Sequence, residues 1–148
     1  MNRVSGELYN NVSELIGYTK PRFPVITMCG STRFPDVWSF YNAALSIRGC
    51  IVHSVGLFGR VVGLDMSSET KRLLDRVYLQ KIEMSDAILV LNKDGYIGLS
   101  TWDEILFAAS LDKLIYFIEP LPDRCLEELN TLRNRNETMW VCSNFSLV

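Results

Sequence analysis

The sequence predicts a doubly wound α/β domain, with five parallel strands in one sheet and helices on both faces. Three observations predict it. Ala87-Ile88-Leu89-Val90-Leu91 and Leu114-Ile115-Tyr116-Phe117-Ile118 are unbroken apolar runs, the pattern of strands covered on both sides. Stretches with apolar residues at helical spacing alternate with such runs in the order β-α-β-α-β-α-β-α-β. The chain has 148 residues, 48% of them hydrophobic and 22% charged, which suits one ordinary globular domain and neither two domains nor a disordered chain.

Residues 1–22 are polar and read as an N-terminal extension to a domain over 23–148. Within the extension Val12, Leu15 and Ile16 suit one face of a short helix that Gly17 and Pro21 would end. Pro24 to Cys29 supplies the first strand, and Gly30-Ser31-Thr32-Arg33 follows at once. From Asp36 to Arg48, Val37, Phe40, Tyr41, Ala44 and Ile47 fall at helical spacing, with Gly49 placed to end the helix. Ile51 to Val55 reads as the second strand, and the glycine-rich stretch 56–66 as a loop. Ser67 to Ser85 is the clearest helix: Ser67 suits the N-cap, Glu69 the first turn, and Leu74, Tyr78 and Ile82 one stripe. After the Ala87–Leu91 strand come a loop over 92–99 and a helix from Ser100 to Leu111. The Leu114–Ile118 strand stops before Pro120 and Pro122, and a helix from Asp123 to Arg133 leads to a weaker strand from Met139 to Cys142. In such folds ligands bind beyond the carboxyl ends of the strands, where loops meet helix N-termini.

The formal net charge is -2 and the isoelectric point about 5.4, which argues against a protein that coats the phosphates of a nucleic acid polymer. Any phosphate is expected in a local pocket. The four cysteines, Cys29, Cys50, Cys125 and Cys142, lie far apart without CxxC spacing, and the chain has a single histidine, so no closed zinc site is expected. Free thiols, no apolar signal core and no stretch of about 20 apolar residues predict a cytoplasmic protein without a membrane span.

Two constellations carry chemistry. Gly30-Ser31-Thr32-Arg33, between a strand and a helix, brings backbone N–H groups, two hydroxyls and a guanidinium to one point suited to an anion. The segment has neither the Lys-Ser/Thr ending of a P-loop nor a GxGxxG fingerprint, so no triphosphate hydrolysis and no nicotinamide cofactor is expected. The second is Asp86 at the head of a buried strand, followed by Gly95-Tyr96-Ile97-Gly98-Leu99-Ser100-Thr101-Trp102-Asp103-Glu104. Thr101-x-x-Glu104 has the spacing of a capping box, so from the residues alone Glu104 reads first as a helix cap and second as a reactive carboxylate. His53 reads first as a hydrogen-bonded histidine near the sheet edge. Phe58, Tyr96 and Trp102 are aromatic candidates for stacking on a base.

Taken jointly, Cys29-Gly30-Ser31-Thr32-Arg33, the Ser85–Asn92 run and the segment from Gly95 to Ala109 resemble the nucleoside 2-deoxyribosyltransferase superfamily, over about residues 24–118. That superfamily includes the nucleoside deoxyribosyltransferases and the 2′-deoxynucleoside 5′-monophosphate N-hydrolases. The resemblance implies a Rossmann-like (flavodoxin-like) sheet, and a homodimer or higher homo-oligomer that acts on a small nucleoside or nucleotide. It implies no metal and no organic cofactor. The glutamate nucleophile of the family matches Glu104, with Gly98, Thr101 and Ala108 in the surrounding pattern. A position at a helix N-terminus predicts that Glu104 is ionised at neutral pH. The family's second acid, eight residues before Asp86, falls on Tyr78, and Asp75 one turn earlier is the substitute the chain offers. The hydrolase branch has a tyrosine where this chain has Thr27. Gly30, Ser31, Thr32, Arg33, Asp86, Gly98, Ser100 and Thr101 are the implied phosphate- or sugar-binding residues. The implied activity is cleavage or transfer at an N-glycosidic bond, with water favoured as acceptor because the first loop resembles that of the hydrolases. The rival is a nucleotide-binding sensor or assembly subunit that has lost catalysis. A receiver-like domain is disfavoured, because no acidic cluster ends the first strand.

Overall fold

The run Ala87–Leu91 is buried at all five positions and forms the middle of a parallel sheet. The computed structural model describes residues 22–56, 67–131 and 140–141. In chain order these form β1 (Val25–Gly30), α1 (Pro35–Ser46), β2 (Ile51–His53), α2 (Ser68–Glu83), β3 (Ala87–Leu91), α3 (Leu99–Ser110), β4 (Leu114–Phe117), α4 (Asp123–Thr131) and β5 (Trp140–Val141). The strands lie in the order β2-β1-β3-β4-β5, and every neighbouring pair is parallel. The α/β class with a parallel sheet is therefore as the sequence predicts. Four strands form the body of the sheet, and β5, within the expected Met139–Cys142 segment, adds only two residues against Tyr116 and Phe117. Residues 1–21 of the expected N-terminal extension, Phe58 in the 56–66 loop, and Cys142 lie outside the described residues.

Strand alternation sends side chains to two cores. Ile26 and Met28 of β1 join Leu89 and Leu91 of β3 under Trp38 and Leu45 of α1. On the other face Cys29, Ile88, Val90, Ile115 and Phe117 meet Ile82 of α2, Ile105 and Ala108 of α3, and Leu129 of α4. Each fully buried aliphatic or aromatic side chain contributes about 1.5–3 kcal/mol, so these two layers hold the helices at fixed positions over the sheet.

Local signals set the helix ends. Ser67 caps α2 as expected, its Oγ accepting from the Thr70 N–H at 3.2 Å. Helix α1 starts with Pro35 in its first turn, where a missing N–H costs nothing, and Gly49 at φ +84° turns the chain toward β2. His53 ends β2 inside a polar cluster: its Nδ1 lies 3.2 Å from Thr27 Oγ1 and 3.3 Å from the Lys81 carbonyl. Thr27 also bonds Ser85, and both residues are buried. His53 is thus the bonded histidine of the plainer reading, and Thr27 is committed to the same cluster.

Candidate active site

The winding reverses at β1, since β2 lies to one side of it and β3 to the other. Loops leaving the carboxyl ends of β1 and β3 consequently diverge and leave a crevice. A cleft of about 390 Å³ occupies this place. Gly30 and Thr32 of the first loop line it, with Trp38 of α1 and Val55 and Gly56 after β2. Helix α2 contributes Lys71, Leu74, Asp75, Val77, Tyr78 and Lys81, and α3 contributes Glu104.

The position of Glu104 follows from where α3 begins. Gly98 is the N-cap, and no side chain bonds the cap. Thr101 therefore lies inside the helix and is 4% exposed, so the capping box expected of Thr101 and Glu104 does not form. The buried residues of α3 are Thr101, Ile105, Ala108 and Ala109. Glu104, three residues after Thr101 and four before Ala108, shares that inward face. Its Oε2 is wholly buried and has no hydrogen-bond partner among the described residues. Burial pushes the Glu104 carboxyl up to about 7, opposed by a hydrogen bond with the Cys29 thiol and reinforced by the charges of Asp75 and Asp103. The expectation that the helix N-terminus keeps this group simply ionised is corrected: loss of water outweighs it.

The two expected helpers reach the same cleft in different states. Asp75 is exposed on the lining face of α2, close enough for its charge to act on Glu104. Tyr78 is committed, because its hydroxyl donates to the Met28 carbonyl. Burial, then the neighbouring Cys29 and Glu104 charges, raises its ionisation well above the ordinary tyrosine value. Tyr78 braces α2 against β1 and is a poor proton donor.

The expected binding residues divide. Gly30 lines the cleft, and a Cβ there would come within 3.0 Å of Leu91 Cβ, so close packing of β1 on β3 also favours glycine. Thr32 lines it too. Ser31 is turned to local bonds: its carbonyl accepts from Trp38 Nε1 at 2.9 Å and its Oγ from the Arg33 N–H at 3.3 Å. Arg33 stacks 4.0 Å from the centre of the Tyr96 ring and donates to its hydroxyl at 3.0 Å, joining two loops outside the cleft lining. Gly98 caps α3, Ser100 is exposed in its first turn, and Thr101 is buried within it. Asp86 is at the other end of the sheet, the amino edge. There its carboxylate accepts from the Val25 N–H at 2.8 Å and pairs with Arg22 at 2.6 Å. Asp86→Ala should cost about 1–2 kcal/mol by urea denaturation through the lost Val25 bond, and leave any activity per folded molecule unchanged.

Trp38, Lys71 and Lys81 are cleft residues that sequence reasoning missed. The spacing 71, 74, 75, 78, 81 marks one helix face, but the apolar stripe through Leu74, Tyr78 and Ile82 reads as core and hides the lysines beside it. Lys81 Nζ donates to the Ser54 carbonyl at 3.0 Å. Of the aromatic candidates, Trp102 lines a separate hollow with Leu106, Cys125 and Leu129, and Tyr96 carries the Arg33 stack.

No protein-family model matches the sequence, and no curated protein matches it. Among solved structures, a 2-deoxyribosyltransferase from the psychrotolerant bacterium Bacillus psychrosaccharolyticus is similar, with a TM-score of 0.53 and 14% sequence identity. The match covers 76% of this chain and 92% of that one. The resemblance carried by the loop motifs thus extends to architecture, and the chain has the fold of a nucleoside 2-deoxyribosyltransferase.

Proposed function

We propose that this protein cleaves or transfers the N-glycosidic bond of a nucleoside or nucleoside 5′-monophosphate, with Glu104 as nucleophile. The observation that carries this reading is a carboxyl group held in the switch-point cleft, with one oxygen buried and unpartnered, on a helix that does not need it as a cap.

Departure of the base leaves positive charge on C1′ and the ring oxygen of the sugar. A carboxylate facing C1′ stabilises that charge or bonds to the carbon. Glu104 has one oxygen out of water, so its negative charge is poorly solvated and acts the more strongly on a cation developing in the cleft. Asp75 adds negative potential and is the carboxyl group able to give a proton to the departing base or to take one from water. Tyr78 fixes the cleft wall. Lys71 and Lys81 bring positive charge to the cleft, in place of the expected Arg33, for a 5′-phosphate. Water as acceptor accords with the first loop. The reading requires no metal or organic cofactor.

Incubation with a panel of nucleosides and 5′-monophosphates, followed by chromatography for free base, tests the reading; release from none of them overturns it. Lys71→Ala should weaken a 5′-monophosphate by roughly 1.5 kcal/mol relative to the matching nucleoside, measured by calorimetry, while Arg33→Ala leaves the ratio unchanged. One observation favours the non-catalytic rival. The position where the resemblance expects a second acid holds Tyr78, whose hydroxyl is occupied by Met28. Binding without base release is the result that rival expects.

Self-association accompanies the proposal, and Leu73 of α2, outside the cleft lining, exposes apolar surface for it. Sedimentation showing only monomer at micromolar concentration overturns that part. A cytoplasmic location is likewise part of the proposal; among the described residues no helix is long and apolar enough to cross a membrane.

A further inference from the structure

Helix α2 lines the cleft with two cations in different states. Lys71 is exposed near its start, whereas Lys81, near its end, is half-buried. Main chain and side chain of Lys81 are both held. Its carbonyl accepts from Thr27 Oγ1 at 3.1 Å and from Ser85 Oγ at 2.7 Å, with His53 Nδ1 at 3.3 Å. Its ammonium donates to the Ser54 carbonyl at 3.0 Å and stands 5.3 Å from the centre of the Tyr78 ring. Among the described residues no carboxylate pairs with it. An ammonium has three donors, so Lys81 keeps donors and a full charge for what enters the cleft.

We propose that Lys81 is a catalytic residue that hydrogen-bonds the departing base and takes up the negative charge left on it. The inference rests on the glycosidic reading above. Ten residues of α2 separate Lys71 from Lys81, a rise of about 15 Å, with Asp75 and Tyr78 between them. Glu104 meets α2 in that middle stretch, close enough to both for their charges to interact. A sugar over Glu104 therefore has a lysine on either side. A phosphate keeps much of its water and suits exposed Lys71; a base sheds water and suits the half-buried end at Lys81. In the first step the C1′–N bond breaks with its electron pair on the base, and C1′ bonds to a Glu104 oxygen. Lys81 gives the base anion an N–H bond where little water competes. The water of the second step delivers hydroxide to C1′, freeing Glu104, and its proton passes by way of Asp75 to the base. Tyr78, where the resemblance expects an acid, spends its hydroxyl on Met28, which leaves this task to its neighbour one turn on.

A strut between α2 and the segment after β2 is the competing role for Lys81, and leaving-group dependence separates the two. Lys81→Met removes the charge at similar length, and Lys81→Arg keeps a charge. Single-turnover base release is compared for the 5′-monophosphates of 2′-deoxyuridine and its 5-fluoro analogue, and of 2′-deoxyguanosine and its 7-methyl analogue. The second base of each pair departs more easily, so it needs less help. Lys81→Met should lower release of uracil or guanine about fiftyfold and of the activated base less than about fivefold, with Lys81→Arg recovering most of the rate. An equal loss across a pair makes Lys81 a strut and overturns the proposal, as does no loss at all. A second readout needs no turnover: calorimetry of the free bases uracil and 5-fluorouracil, and hypoxanthine and xanthine, the second of each pair being the more acidic. The wild type should bind the more acidic base about fivefold more tightly in the pair it accepts, and Lys81→Met should lose that preference. If the wild type releases no base, the glycosidic reading fails, and this preference still decides whether Lys81 receives a base anion. A wild type without the preference, or a Met variant that keeps it, overturns the proposal.

Discussion

Glu104→Gln should lower base release by at least about a thousandfold without loss of folding stability at neutral pH. A neutral amide is a weak nucleophile and does not stabilise positive charge at C1′. The substitution nearly preserves volume, so it opens no cavity. It also removes no cap, because Gly98 occupies the N-cap of α3 and Thr101 is already inside the helix. Substrate should bind about as well as to the wild type, since the carboxylate acts on charge present in the transition state and absent in the ground state. The measurement is single-turnover release of base, with thermal melting as the folding control. A Gln variant that keeps its rate reduces Glu104 to a packing residue. Binding without release in both proteins leaves the sensor reading standing.

What the sequence showed and hid about this site has physical reasons. The central strands were legible because burial on both faces forces unbroken apolar runs, as in Ala87–Leu91. The edge leaves a weaker mark: β5 pairs only two residues, inside the Met139–Cys142 run that reads as the weaker strand. The start of α2 was legible through Ser67, whose side chain makes the cap bond. The start of α3 is legible to within a residue but its cap is not, because Gly98 caps it with no side chain while Thr101-x-x-Glu104 imitates a capping box three residues later. Asp86 could have been placed correctly, because the head of a parallel strand lies at the edge away from the ligand. The cleft positions of Glu104 and Gly30 came from the motifs. Their neighbours Cys29, Lys71 and Lys81 did not, because those contacts exist only once α2 and α3 dock on β1, and no local spacing encodes that docking. Arg33 shows the same limit, since nothing in a Gly-Ser-Thr-Arg loop says that its guanidinium turns to Tyr96.

The stability of the wild type should fall, relative to Glu104→Gln, as pH rises from about 4.5 to about 7. The sign follows from proton counting. The folded-state value is raised from 4.5 to about 7, so between these values the native state binds more protons at this site than the unfolded chain. Stability then declines with rising pH, and the protonated carboxyl's advantage is complete below the unfolded value and gone above the folded one. This is the reverse of the usual carboxylate in an ion pair. The largest difference this shift allows is of order 3 kcal/mol, and contact of the side chain with the open cleft reduces it. Gln does not titrate, so subtracting its stability curve from that of the wild type removes the contribution of every other acid in the chain. Urea denaturation of both proteins between pH 4.5 and 8.5 supplies the two curves. Parallel curves would mean that Glu104 titrates as an ordinary exposed glutamate, and the buried carboxyl on which the proposed mechanism depends would be lost with them. A widening gap in favour of Gln, with base release by the wild type rising through the same midpoint, would tie the instability and the reactivity to one ionisation: the charged carboxylate costs stability because it lacks water, and reacts because positive charge at C1′ replaces what water no longer supplies.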